Sequence, residues 1–81
     1  VNETALPPYS LVIQWDPRDA IFVVTVPELP GCLTHGATYE QAVRQAVDAI
    51  GTWLDGARED GDPIPPPRAY TPSPPYTGVR A

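Results

Sequence analysis

The clearest pattern in the chain is a ten-residue apolar face between Thr38 and Gly61. At 100° per residue, Tyr39, Ala42, Val43, Ala46, Val47, Ala49, Ile50, Trp53, Leu54 and Ala57 fall within an arc of about 160°. Glu40, Gln41, Arg44, Gln45, Asp48, Thr52, Asp55, Arg58 and Glu59 fill the other side. Thr38 followed by Gln41 is a capping-box signature, and Glu40 suits the positive end of the helix dipole. Gly61 with Pro63 beyond it supplies a stop. The pattern predicts one helix over Tyr39–Asp60, about 33 Å long, with Glu40 and Arg44 forming an i,i+4 ion pair.

Upstream the period changes to two. Tyr9, Leu11, Ile13 and Trp15 alternate with Ser10, Val12 and Gln14, which predicts a strand with one buried face. Asp16-Pro17-Arg18-Asp19 has the chemistry of a tight turn. Ala20–Val26 is apolar except for Thr25, so both faces of this returning strand need cover. A helix covers one, which leaves the other for a second subunit or a partner. Pro27 and Pro30 end the strand, Gly31 permits a turn, and residues 32–37 read as a short edge-like strand. Ile64 is a candidate for a brief final strand.

Composition bounds the rest. Seven of the twelve prolines fall in residues 61–81, so about 60 of the 81 residues remain to fold, as a single domain. The expected division is a lead-in over 1–7, a domain over 8–67 and a Pro-rich tail over 68–81. A core that small is marginal, and oligomerisation is a natural supplement. The expectation is a homo-oligomer, a dimer or a tetramer. The chain opens on Val1 and lacks methionine, which points to a processed or non-standard start. With neither an apolar span nor a basic-then-apolar leader, the expected location is the cytoplasm, away from membranes.

Net charge is −5, from ten acids against five arginines. Nucleic-acid binders carry a basic face, and five scattered arginines do not build one. A basic protein partner, or no charged partner at all, suits an acidic chain better.

Tyr9…Val12-Ile13, Asp19, Val26-Pro27-Glu28-Leu29-Pro30-Gly31-Cys32, Thr34-His35-Gly36-Ala37-Thr38, Glu40-Gln41-Ala42, Ala46…Ala49-Ile50 and Gly61-Asp62-Pro63-Ile64-Pro65-Pro66-Pro67 together resemble the HicB family. Its members are antitoxins of type II toxin–antitoxin systems and their stand-alone relatives. The likeness covers about residues 8–67. It implies an α+β, partial RNase H-like fold of order β-β-β-α-(β): an antiparallel three-stranded sheet, one long helix and a short final strand. It also implies a partner, a small basic mRNA-cleaving toxin of the HicA type. Many members carry a C-terminal DNA-binding segment. Here that place is Pro- and Tyr-rich and cannot form a recognition helix, so DNA binding is not expected.

Several residues invite other chemistry. Cys32-x-x-His35 is the chain's one Cys–His pair, short of the three or four ligands zinc needs. Residues three apart on an extended segment point to opposite faces, which also disfavours a catalytic pair. Asp16 and Asp19 are the acids nearest the first strand, and turn chemistry accounts for both. Pro63-Ile64-Pro65-Pro66-Pro67-Arg68 fits a P-x-x-P-x-R polyproline ligand, although a rigid edge segment is the simpler account. Trp15 and Trp53 could line a ligand pocket, and core packing is the simpler account of both.

The expected function is that of a non-enzymatic antitoxin, with no cofactor and no metal, occluding a basic toxin. Glu40, Arg44, Asp48 and Asp55 on the polar helix face are the candidate partner-binding residues, with the exposed sheet face as their rival. The alternatives are an orphan homo-oligomeric domain, acting as a scaffold or small-ligand sensor, and a relic RNase H-like nuclease.

Overall fold

A computed structural model describes residues 6–72. Three strands and one helix follow in the order β1 (Val12–Asp16), β2 (Ile21–Thr25), β3 (Leu33–Gly36) and α1 (Tyr39–Asp60). The strands form one antiparallel sheet of order β1-β2-β3. The arrangement is the α+β fold expected, with both α1 boundaries where the apolar pattern places them. A final strand at Ile64 does not form among the described residues.

Both helix ends are closed by local chemistry. The Thr38 hydroxyl accepts the Gln41 N–H at 3.0 Å, and the Gln41 side-chain oxygen accepts the N–H of Ala37, one residue before the cap. At the other end Gly61 adopts a left-handed conformation, φ 73°. Its N–H reaches the Arg58 carbonyl at 3.1 Å and the Asp62 N–H reaches Ala57 at 2.8 Å. These are the two bonds of a Schellman motif, and they satisfy carbonyls that the helix leaves open.

The β1–β2 hairpin turns on Asp16, whose carboxylate accepts the Arg18 N–H at 3.0 Å and pairs with the Arg18 guanidinium at 3.1 and 3.0 Å. Ala20 completes the turn at φ 54°, a conformation costly for a residue with a Cβ. Beyond β2, residues 26–32 form two successive turns. Leu29 N–H bonds Val26 O and Cys32 N–H bonds Leu29 O, each at 3.0 Å, while Val26 N–H returns to Cys32 O at 3.0 Å. This closed loop drives Leu29 into the core, where it is 1% exposed.

The core lies between one face of the sheet and a narrow stripe of α1: Ala42, Ala46, Ile50, Leu54 and Ala57. Val24 packs on Ala42 and Ala46, with Leu11, Ile13 and Phe22 around them. Tyr9, Val26, Leu29, Cys32, Ile50 and Leu54 make a second cluster at the far end of the helix. Gly36 allows the close approach, since a Cβ there would sit 2.5 Å from the Ala42 nitrogen.

The buried stripe is narrower than the apolar arc. Tyr39, Val43 and Val47 are exposed, and Trp15, expected inside, is 52% exposed. The cause is the position of the helix, which packs over β3 and β2 and leaves the helix-side edge of β1 partly open. Trp15 there meets Phe22 edge-on at 5.0 Å, and Phe22 stacks on Tyr39 at 4.3 Å. Trp53 is half-buried against the second cluster, with its indole N–H held by the Pro30 carbonyl at 3.0 Å.

After α1 the chain runs extended. The Tyr9 hydroxyl donates to Pro65 O at 2.6 Å, and the Arg68 N–H reaches the Glu28 carboxylate at 2.9 Å. These bonds lash the segment to the mouth of β1 without a strand ladder. Arg68, Pro63 and Pro66 of the polyproline pattern are exposed. The expectations for residues 1–5 and 73–81 lie outside the described residues.

Candidate partner-binding surface

Helical spacing puts Glu40, Arg44 and Asp48 on successive turns, with Asp55 two turns further on, and all four are exposed. Helix α1 carries five acids, Glu40, Asp48, Asp55, Glu59 and Asp60, against Arg44 and Arg58, and every one of the seven is exposed. Arg58 pairs with Asp55 at 3.3 Å, whereas Glu40 and Arg44 do not pair as their spacing suggested. Exposed side chains of this length gain little from being fixed in one geometry. The outcome is a solvated, net negative ridge along the helix.

Between this ridge and the free edge of β3 lies an open groove of about 390 Å³, flanked by Leu33, Thr34, Gln45, Asp48, Thr52 and Trp53. Gln45, Asp48 and Thr52 of the helix and Thr34 of β3 give it polar lining, and Leu33 of β3 and Trp53 of the helix give it apolar lining. Asp48 alone of the four candidate residues lines it.

The other side groups do not assemble into chemistry. Cys32 is buried in the core, whereas His35 is exposed and lies across from Val23 on the sheet face away from the helix. Burial also pushes the Cys32 thiol pKa up, the wrong direction for a nucleophile. Among the described residues no three His, Cys, Asp or Glu side chains cluster as metal ligands. Asp16 is engaged by Arg18, whose hydrogen bonds hold its carboxyl below the ordinary range.

Glu28 is the residue that pattern reading passed over. It sits in the turn between two prolines, yet it is 7% exposed. Its carboxylate accepts the Ser10 N–H at 3.0 and 3.1 Å, the Ser10 hydroxyl at 3.0 Å and the Arg68 N–H. Burial opposes its ionisation, but the hydrogen bonds from Arg68 and Ser10 prevail and lower its pKa to about 2. An acid flanked by Pro27 and Leu29 in a turn otherwise built for the core was the available signal. The role is structural: it joins the lead into β1, the 26–32 loop and the C-terminal segment.

The family model for the HicB-like antitoxin of bacterial toxin–antitoxin systems matches residues 9–78. The chain belongs to this family. The match extends past residue 67, into the Pro-rich stretch. A UPF0150 protein of Thermoplasma acidophilum is 35% identical over 57 residues, covering 70% of this chain and 81% of the relative. A UPF0150 protein of Archaeoglobus fulgidus is 34% identical over 56 residues, covering 67% and 80%. A 14.9 kDa protein from the rep-hol intergenic region of Haemophilus phage HP1 is 39% identical over 44 residues. That match covers 54% of the HicB-like chain and 33% of the phage protein. No helix among the described residues is long and apolar enough to cross a membrane.

Proposed function

We propose that this HicB-like chain is an antitoxin that neutralises a small basic mRNA-cleaving toxin of the HicA type by covering its RNA-binding face. The observation that carries the reading is the exposed acidic ridge of α1, from Glu40 through Asp48 and Asp55 to Glu59. A surface that binds RNA must be positive, and an acidic ridge of about 29 Å matches such a surface in sign and reach. The antitoxin needs no chemistry of its own, and the reading includes neither nuclease activity nor binding to DNA. It includes self-association, which a core of this size favours.

Co-expression with a basic, His-containing protein encoded beside this chain tests the reading. Toxicity should be relieved, and the two proteins should co-purify. Association should slow as salt rises, because the attraction acts over a screening length of about 8 Å at physiological ionic strength. Glu40→Arg with Asp48→Arg should weaken binding at least about tenfold. A folded domain that fails to bind its neighbouring toxin would overturn the proposal.

A further inference from the structure

The outer edge of β3 carries no neighbouring strand among the described residues, because β3 stands last in the sheet. The Val26 N–H bonds the Cys32 carbonyl at 3.0 Å, so these two residues face each other as a hydrogen-bonded pair. Antiparallel pairs alternate between bonded and non-bonded. Thr34 and Gly36 therefore bond to Val24 and Phe22, whereas Leu33 and His35 stand in non-bonded pairs with Thr25 and Val23. The main-chain N–H and C=O groups of Leu33 and His35 point outward. Sheet edges of this kind are commonly blunted by a proline, a charged side chain or a bulge. Leu33–Gly36 contains no proline and no Asp, Glu, Lys or Arg, and its register with β2 is unbroken.

The groove beside this edge selects what can fill it. Asp48 and Trp53 both line it, and the Trp53 indole is fixed by its bond to the Pro30 carbonyl at 3.0 Å. A second hollow of about 340 Å³ shares Thr52 and Trp53 with the groove and adds Asp60 and Asp62. No arginine lines either hollow. A fixed indole set among carboxylates accepts a guanidinium or ammonium group, by charge and through the ring face. A second copy of this chain, itself at −5, would set acid against acid if it paired edge to edge here. A basic segment gains from the same acids.

We infer that the free edge of β3 is a docking site for an extended basic segment of a partner protein. The segment adds a strand through the main chain of Leu33 and His35 and lays a cationic side chain between Asp48 and the Trp53 indole. This mode draws affinity from main-chain hydrogen bonds and specificity from alternate side chains. The proposal goes beyond the antitoxin reading and stands without it, since any protein with such a segment fits. An edge of four residues makes a short ladder, so the dissociation constant belongs near about 100 μM for an isolated peptide.

A ten-residue peptide of alternating arginine and valine, titrated into the isotope-labelled chain, tests it by amide chemical shifts. Shifts should centre on residues 33–36 and 45–53, and the Leu33 and His35 amides should exchange at least about tenfold more slowly when the peptide is bound. A peptide of alternating glutamate and valine should not bind. His35→Pro removes an outward donor and no bond to β2. It should weaken binding at least about tenfold, with an unchanged circular dichroism spectrum. The arginine–valine peptide with N-methylated valines loses its own donors and should bind the wild type at least about tenfold more weakly, whether or not His35→Pro folds. Asp48→Asn should weaken binding several-fold, and Asp19→Asn, the same charge change in the β1–β2 turn, should have no effect. The proposal is overturned by a wild type that ignores the peptide up to about 1 mM, by shifts centred on Glu40, Asp55 and Glu59, or by an N-methylated peptide that binds as well as its parent. The peptide needs no toxin, so failure of the antitoxin reading and failure of this one are separable.

Discussion

Arg68 donates its backbone N–H to the buried carboxylate of Glu28 at 2.9 Å, across 40 positions of sequence. Ser10 donates to the same carboxylate from the other side, through its backbone N–H and its hydroxyl. One side chain thus ties together the entry to the sheet, the loop after β2 and the segment that follows the helix. With the Tyr9–Pro65 bond, it holds a proline-rich stretch that has no ladder of its own.

Stability should therefore fall in acid in a defined window. The Glu28 pKa is about 2 in the folded chain, against an ordinary value of 4.5. A lowered acid stabilises the fold fully above the unfolded value, and its contribution is lost as pH drops from about 4.5 towards 2. Asp16, also lowered, adds to the same slope. Glu28→Gln should flatten that limb and lower the melting temperature at neutral pH by roughly 5–10 °C. Thermal melts at several pH values check both effects.

Gly36→Ala should be severely destabilising. The added carbon would lie 2.5 Å from the Ala42 nitrogen, 2.7 Å from its Cα and 2.9 Å from the Gln41 carbonyl carbon, all backbone atoms of the first turn of α1. No rotamer relieves that contact, so the helix must lift off the sheet. A loss of about 3 kcal/mol is expected, at the upper end for overpacking, and urea unfolding measures it.

Ala20→Gly should have the opposite sign. Ala20 holds φ 54° in the hairpin, where a Cβ is strained and glycine is not. A gain of about 1 kcal/mol is expected, seen as a higher urea midpoint with an unchanged slope.

Trp53→Phe removes the indole N–H that the Pro30 carbonyl accepts at 3.0 Å. The loss should be about 1 kcal/mol. Pro30 belongs to the loop that carries Glu28, so amide exchange should quicken across residues 26–32.

The sequence made some of these features legible and hid others, for physical reasons. The bounds of α1 were readable because Thr38, Gln41 and Gly61 act locally, through bonds spanning three to five residues. The turn role of Asp16 was equally local. The exposure of Trp15, Val43 and Val47 was not readable. A helical wheel gives an apolar arc but not the line along which the helix crosses the sheet, and α1 lies over β2 and β3. Glu28 was hidden because its partners stand 18 and 40 positions away. Of the binding surface, the polarity of Glu40, Arg44, Asp48 and Asp55 was plain in the sequence. The open face of β2 was foreshadowed by the nearly unbroken apolar run of Ala20–Val26.

The Glu28 clasp also bears on how such a chain can drift over generations. From Arg68 it takes a main-chain N–H, which nineteen of the twenty amino acids can supply. Position 68 should thus vary freely among descendants while refusing the one residue that fills positions 65, 66 and 67 before it. Position 28 has no such latitude, since a single side chain must reach both partners. Selection acting on this clasp should mark it as one constant acid facing a site that tolerates almost any residue except proline.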